Sequence, residues 1–168
     1  MKGTATTEGG TVTLRFERLL RHSPEHVWEA LTTFEGVKDW LMCVEATIEP
    51  RAGGTIELVS GPPRYRSTGK ILRWEPPRVF EHEWKVAPVP EMPNGENLVF
   101  RYELSPEQSH TRLVVTVSGV SQGTAPGFLP GLHVFIERLA AQLDRAPLPD
   151  FGQRFEALLA EYPQWGRH

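Results

Sequence analysis

The feature that most constrains the fold is a helical pattern near the end of the chain, between Thr124 and Arg145. Apolar residues recur there at intervals of three and four, which places them on one face of a helix. They are Phe128, Leu132, Phe135, Leu139 and Leu143. Thr124 is predicted to cap this helix, while Pro130 and Gly131 predict a kink or a later start. A helix with so wide an apolar face is unstable alone in water, so it needs a large apolar surface to pack on.

The residues before this helix supply such a surface, because apolar and polar side chains alternate along several segments. Alternation predicts half-buried strands, and the short turns between them favour antiparallel pairing. The segments are residues 11–21, 44–48, 55–59, 65–74, 78–86, 98–104 and 112–117. Two short helices are predicted after the first strand, over residues 23–33 and 34–40. We therefore predict an α+β fold in which a curved antiparallel sheet of about six or seven strands surrounds the long C-terminal helix.

Length and composition favour a single domain with a tail. Residues 1–10 are small and polar and are expected to be disordered, residues 11–145 form the domain, and residues 146–168 add a linker and a short amphipathic helix. The net charge of −3, without a basic block, argues against nucleic acid as a partner. No apolar run is long enough for a signal peptide or a membrane span. The single cysteine, Cys43, excludes an internal disulfide, and together these features favour a cytoplasmic protein.

A set of short motifs follows in a fixed order over residues 12–144. It comprises SPEHVWEALT at residues 23–32 with Trp40, the pair Gly53-Gly54, GKIL at residues 69–72 with EPP at residues 75–77, Phe80 with Trp84, and GLH at residues 131–133. In this order the motifs resemble proteins similar to the activator of the heat-shock chaperone ATPase, within the START and polyketide-cyclase superfamily. The resemblance implies the helix-grip fold, with a cavity between sheet and helix that holds a lipid, a polyketide or another hydrophobic molecule. Many relatives carry Trp after the helix glycine, where this chain has Leu132.

The inward faces of the strands and of the long helix predict which side chains meet a ligand. These are Trp40, Phe80, His82, Trp84, Phe100, Tyr102, Phe128, Leu132, Phe135 and Leu139. His82 has two interpretations: it orients a ligand as one of the few polar groups of an apolar site, or it is a core histidine bonded to a neighbour. Tyr102 likewise contacts either a ligand or a protein partner. Trp40 is either a core residue or part of a lid.

Other residues with possible chemistry have weaker support. His133 lies at the edge of the helix face, either near the cavity entrance or in solvent. Residues 64–66 either meet an acidic group on a ligand or are solvated, and Cys43 is either a nucleophile or a small buried apolar residue. No zinc, nucleotide or nucleophile motif occurs, and His22 with His26 makes a poor metal pair. We predict no metal, no cofactor and no catalytic residue.

Three functions remain open at this stage. The first is the binding of a small hydrophobic ligand, either lipid-like or aromatic and polyketide-like, by a monomer or homodimer. The second, implied by the resemblance, is regulation of a heat-shock chaperone ATPase, although no counterpart is found of the additional N-terminal domain of eukaryotic activators. The third is a polyketide cyclase-like or dehydratase-like enzyme, for which only His82 and Tyr102 are candidates.

Overall fold

The computed structural model describes residues 1–162 and contains eight strands and four helices in that part of the chain. In chain order they are β1 (Thr4–Glu8), β2 (Thr11–Leu20), α1 (Pro24–Thr32), α2 (Phe34–Trp40), β3 (Glu45–Ile48), β4 (Thr55–Ser60), β5 (Tyr65–Glu75), β6 (Val79–Val86), β7 (Glu96–Glu107), β8 (His110–Ser121), α3 (Ala125–Leu143) and α4 (Phe151–Glu161). The strands form one antiparallel sheet in the order β1-β2-β8-β7-β6-β5-β4-β3. The predicted α+β helix-grip architecture is confirmed.

The core lies between one face of this sheet and the helices. Side chains on alternate positions of the strands are buried, and they join the apolar face of α3 in one hydrophobic cluster. Pairing of β2 with β8, which sets Phe16 opposite Val115, brings the beginning of the domain next to its last strand. Register shifts occur in β2 between Val12 and Leu14 and in β5 between Ile71 and Arg73. Such irregularities bend a strand and increase its twist, which suits a sheet that surrounds a helix.

The short helices begin where capping residues satisfy their first N–H groups. The hydroxyl of Ser23 accepts from the backbone N–H of His26 at 3.2 Å, and that of Thr33 accepts from Gly36 at 3.0 Å. The predicted starts of α1 and α2 are therefore confirmed, with the hydrogen bonds that capping requires. Asp150 caps α4 in the same way, since its carboxylate accepts from the N–H of Gln153 at 2.9 Å.

The start of α3 differs from the prediction in two respects. Thr124 occupies the N-cap position, but its side chain makes no capping hydrogen bond. Of the two alternatives predicted at Pro130, the later start is wrong, because the helix is continuous from Ala125 and holds Pro130 in its interior. Pro130 is buried there, so packing of its ring helps to offset the backbone hydrogen bond that proline cannot donate.

The N-terminus is the clearest correction to the predicted fold. Residues 1–10 were expected to be disordered, but Thr4–Glu8 forms an edge strand whose register sets Thr7 opposite Val12. The two strands are joined by Gly9 and Gly10, whose φ angles of 55° and 88° favour glycine. This strand raises the count from the predicted six or seven to eight and places α1 and α2 after the second strand. Its backbone pairing, which does not depend on apolar alternation, explains the missed prediction.

The glycine pair after β3 has the role that the sequence predicts. Gly53 has a φ of +79°, a conformation that L side chains rarely adopt. Gly54 is required for a different reason, since a Cβ there would lie 2.6 Å from the carbonyl oxygen of Glu49. Both residues allow the tight connection between β3 and β4.

The amphipathic segment predicted in the C-terminal extension is α4, and it packs on α3. The last part of that predicted extension, residues 163–168, lies outside the described residues. Over residues 1–162, every helix is too short or too polar to cross a lipid bilayer.

Candidate ligand-binding cavity

A cavity of about 450 Å³ lies between the sheet, the first half of α3, and α4. Its wall is formed by β4 and the loop after it, by β6 and β7, and by the two helices. Most of the predicted ligand-binding residues line it, namely His82, Trp84, Phe100, Tyr102, Phe128, Leu132 and Phe135. The structure therefore brings the inward residues of two neighbouring strands and one helix face to the same space.

Three of the predicted residues are not on the cavity wall. Trp40 is buried at the end of α2, where its indole N–H donates to the carbonyl oxygen of Ala30 at 2.9 Å. Phe80 packs against Trp74, with ring centroids 5.6 Å apart, and belongs to the core under α1. Leu139 is buried one helical turn beyond Phe135. All three have the predicted inward direction, but they lie too far along their elements to reach the cavity.

Several wall residues had not been predicted. The loop after β4 contributes Pro62 and Pro63, the loop before β7 contributes Glu91 and Met92, and α4 contributes Phe151 and Phe155. Tyr65, the first residue of β5 and one of the residues 64–66 considered as ligand contacts, also lines the cavity. The spacing of Phe151 and Phe155 marks an amphipathic helix, which was the available signal for these two residues. Nothing in that spacing tells which surface the helix covers.

His82 presents a hydrogen-bond acceptor to the cavity. Its Nδ1 lies 2.8 Å from the carbonyl oxygen of Glu83, a contact in which Nδ1–H must donate, so in the neutral ring Nε2 carries the lone pair. Among residues 1–162 no hydrogen bond reaches Nε2. Every fully shielded side-chain N or O atom in this part of the chain has a hydrogen-bond partner, so Nε2 is not fully shielded. Nε2 therefore borders the cavity. Burial lowers the pKa of His82 to about 4, which keeps the ring neutral near pH 7.

Tyr102 presents its phenol to the same space. It lies on β7, diagonally across from His82, with ring centroids 6.3 Å apart. By the same reasoning as for His82, its hydroxyl borders the cavity, since it has no partner among the described residues. Burial raises the pKa of the Tyr102 phenol, so the hydroxyl stays protonated and can donate. For His82, the bond to a neighbour is present through Nδ1, while its role in orienting a ligand stays a prediction.

The cavity wall has almost no charge. Of the described residues that line it, none is Lys or Arg, and Glu91 is the one carboxylate. Glu91 is exposed, as are Pro62, Pro63, Gly123 and Gly127, so these residues mark where the cavity reaches solvent. We call these five residues the mouth.

The helix α4 covers the side of the cavity next to α3. Phe151 packs on Phe135 with ring centroids 4.9 Å apart, and Leu158 is fully buried. The guanidinium of Arg154 donates to both carboxylate oxygens of Glu137 on α3, at 2.8 and 2.9 Å. α4 is therefore fixed to α3 by apolar contact and by a charged pair.

His133 is part of this attachment, contrary to both predicted interpretations. It is only 3% exposed and lies neither in solvent nor on the cavity wall. The Tyr162 hydroxyl accepts from the N–H of Gly3 at 2.7 Å, and it donates to Nδ1 of His133 at 2.6 Å because the other ring nitrogen faces a carboxylate and must carry the proton of the neutral ring. The opposite ring nitrogen then donates to Glu137 at 3.0 Å. This chain of hydrogen bonds joins the N-terminus, α3 and the end of α4.

The other candidate residues have structural partners. Cys43 is buried, its thiol lies 3.0 Å from the carbonyl oxygen of Glu45, and burial raises its pKa, so it is not an activated nucleophile. Arg66 pairs with Glu45 at 3.2 Å, and His22 pairs with Asp144 at 2.7 Å. Across residues 1–162 no three His, Cys, Asp or Glu side chains are grouped in a way that would hold a metal ion.

An antiparallel sheet around a long C-terminal helix, with a cavity between them, defines the helix-grip class of proteins. Residues 21–144 match the sequence model of the family described as Activator of Hsp90 ATPase homolog 1-like protein, and the chain belongs to that family. The resemblance drawn from the sequence motifs is thereby confirmed. No curated protein sequence matches the chain.

Solved structures share the fold. Protein MLL2253 from Mesorhizobium loti is 27% identical with a TM-score of 0.70, over 81% of this chain and 99% of that one. CalU16 from Micromonospora echinospora is 18% identical with a TM-score of 0.73, over 99% and 96% of the two chains. The Aha1 dimer from Colwellia psychrerythraea is 18% identical with a TM-score of 0.64, over 78% and 95%. At these identities the last two establish the fold alone.

Proposed function

We propose that the protein binds a small hydrophobic molecule in the cavity between the sheet, α3 and α4. The observation that carries the proposal is the cavity itself, about 450 Å³ in volume and lined mainly by aromatic and aliphatic side chains. Ligand sites in proteins have this size and this composition, with a few polar groups that orient the ligand. His82 and Tyr102 supply such groups.

Packing energetics supports the same proposal. Protein interiors are close-packed, and voids much larger than a water molecule are few because they forgo contacts between their walls. A cavity of about 450 Å³ in a chain of 168 residues therefore forgoes a large amount of stabilising contact. A ligand that fills it would restore those contacts, and the mouth gives such a ligand a way in.

A cavity-filling substitution tests the proposal. Leu132→Trp places a larger side chain on the cavity wall, whereas Leu19→Trp, at a position that is 47% exposed on β2, is the matched control. The neutral fluorophore N-phenyl-1-naphthylamine is titrated into each protein, and its emission reports transfer to an apolar site. We expect saturable binding to the wild type and to Leu19→Trp, and at least about tenfold weaker binding to Leu132→Trp.

Two outcomes would count against a binding cavity. One is the absence of saturable binding to the wild type, and the other is equal affinity in all three proteins. Circular dichroism and thermal unfolding of each variant establish that the comparison is made on folded protein. Native mass spectrometry of the purified wild type adds an independent measurement, since a bound hydrophobic molecule would appear as a mass increment absent from Leu132→Trp.

A second candidate function is regulation of a heat-shock chaperone ATPase. It is favoured by membership of the Activator of Hsp90 ATPase homolog 1-like family and by the shared fold of the Aha1 dimer from Colwellia psychrerythraea. The test is the ATPase rate of a purified bacterial Hsp90 with and without the protein. A rate that rises with protein concentration, and rises equally with Leu132→Trp, would assign the activity to the surface and not to the cavity.

A further inference from the structure

We infer that the cavity selects uncharged aromatic compounds that carry a hydroxyl group, and that this hydroxyl donates a hydrogen bond to Nε2 of His82. The inference rests on the proposed function, because it names the class of ligand for the same cavity. It follows from the fixed orientation of one imidazole, the aromatic walls beside it, and the absence of a cationic side chain from the described part of the wall.

The orientation of His82 is held from two directions. Its Nδ1–H donates to the carbonyl oxygen of Glu83 at 2.8 Å, and a flipped ring would lose that bond. The ring also lies parallel to that of Phe100, with an interplanar angle of 4° and a centroid distance of 5.5 Å, and packs on Phe80 at 5.0 Å. Nε2 is therefore a preorganised acceptor, and a donor on the ligand completes a hydrogen bond that the protein leaves open.

The surfaces beside His82 suit a planar ring. Trp84 meets Phe100 and Phe128 with ring centroids 5.9 and 5.7 Å apart, and all three line the cavity. Their planes are inclined to one another by 57° and 70°. An aromatic ligand between them makes edge-to-face contacts, which add to the stabilisation gained from buried area alone. A flexible acyl chain would gain the area but not these contacts.

An anionic ligand would find no counter-charge. Carboxylates are costly to bury without a cation or several donors, and Glu91 at the mouth has the same sign. The imidazole of His82 does not supply the charge near pH 7, because burial depresses its pKa. The cavity therefore favours a hydroxyl over a carboxylate on the same ring.

The N-terminus of α3, which borders the cavity, does not change this conclusion. Pro126 has no N–H, and the N–H groups of Gly127 and Phe128 both donate to the carbonyl oxygen of Thr124, at 3.2 and 3.0 Å. The carboxylate of Glu96 also lies beside this helix end, where it accepts from the hydroxyl of Ser121, and that hydroxyl is 3.0 Å from Oγ1 of Thr124. The positive end of the helix dipole thus already has an anionic neighbour.

Four matched compounds test the inference on the wild-type protein by isothermal titration calorimetry at pH 7. They are 2-naphthol, 2-methoxynaphthalene, naphthalene and 2-naphthoate, which share the same ring system. We expect 2-naphthol to bind about three- to tenfold more tightly than naphthalene and 2-methoxynaphthalene, as one net hydrogen bond allows. The carboxylate should bind at least about tenfold more weakly than naphthalene, because its charge must be desolvated without a cationic partner and a single neutral donor, Tyr102, does not compensate for that cost.

Substitution of the histidine identifies the acceptor. His82→Phe keeps an aromatic ring but removes Nε2, so 2-naphthol should bind it no better than naphthalene does. His110→Phe, at the first residue of β8 and away from the cavity wall, is the control and should keep the 2-naphthol preference. Equal binding of 2-naphthol and 2-methoxynaphthalene to the wild type, or tighter binding of 2-naphthoate, would overturn the inference without any variant. In that event naphthalene binding still supports the proposed function, whereas failure of all four compounds to bind would reject both.

Discussion

Replacing Leu158 with alanine should loosen α4 and leave the rest of the fold intact. Leu158 is 0% exposed, while the adjacent Leu159 on the same helix is 40% exposed. Leu158 also lies outside the main hydrophobic cluster, so its contacts serve the docking of α4 and not the sheet. Truncation to alanine removes three buried carbon atoms, and at about 0.8 kcal/mol for each the docking free energy falls by about 2.4 kcal/mol.

Hydrogen exchange measured by mass spectrometry detects this change. A helix as short as α4 is unstable alone in water, so its amides exchange mainly when it leaves α3. A loss of about 2.4 kcal/mol should speed exchange of residues 151–161 about 50-fold in Leu158→Ala. Leu159→Ala changes helix propensity by the same amount without removing a buried side chain, and it should speed exchange less than about threefold.

Equal acceleration in the two variants would refute this account of α4, because burial would then not decide its docking. Acceleration spread evenly over the sheet would refute it as well, since Leu158 would then belong to the common core. If α4 behaves as expected, Leu158→Ala should also weaken binding of N-phenyl-1-naphthylamine, because Phe151 and Phe155 form part of the cavity wall.

Three further predictions concern single residues. Burial lowers the pKa of His82 from 6.5 to about 4, so between these pH values the unfolded chain binds more protons than the folded one. The free energy of unfolding should therefore fall by roughly 3 kcal/mol as the pH is lowered from 6.5 to 4. Urea unfolding of His82→Phe over the same pH range should show a decrease that is smaller by this amount. Gly127 lies in α3 with open space where a Cβ would be, so Gly127→Ala should raise the free energy of unfolding by about 0.5 to 1 kcal/mol, and an unchanged or lower urea midpoint would contradict this. Cys43 is buried with a raised pKa, so Ellman's reagent should modify the native protein more than about tenfold more slowly than the urea-unfolded chain.

Much of the fold follows from periodicity, because burial of one face of a strand or helix is written directly into residue order. The second short helix was predicted with the bounds that the structure has, Phe34–Trp40, and β6 was predicted within one residue. The edge strand β1 shows the limit of this method. Its sequence, TATTE, has no apolar alternation, and its conformation comes from backbone pairing with β2 and from a turn at Gly9 and Gly10.

The sequence predicted which face of each strand and helix points to the candidate site, but not how far along those elements the cavity extends. Alternation placed His82, Trp84, Phe100 and Tyr102 on the inward face, and all four line the cavity. Phe80 has the same direction but packs against Trp28 of α1, with ring centroids 6.0 Å apart. This was not predicted, because periodicity gives the face of a residue and not its position along the core.

The attachment of α4 had no local signal in the sequence. It depends on contacts between residues distant in the chain, such as Arg154 with Glu137 and Tyr162 with Gly3. For the same reason His133 was expected at the helix edge, since one of its two partners, Tyr162, comes from the end of α4, distant in the chain. Side-chain hydrogen bonds of this kind can be recognised only once the elements have been placed.

The most direct test of the central claim follows the tryptophan indole N–H signals by two-dimensional ¹H–¹⁵N NMR during titration with 2-naphthol. Trp84 lines the cavity, whereas the indole N–H of Trp40 donates to the carbonyl oxygen of Ala30 in the core. We expect the Trp84 signal to shift in a saturable manner while the Trp40 signal stays in place. A saturable response at Trp40 with none at Trp84, or no response at either with 2-naphthol and with naphthalene, would contradict a ligand cavity between the sheet and α3.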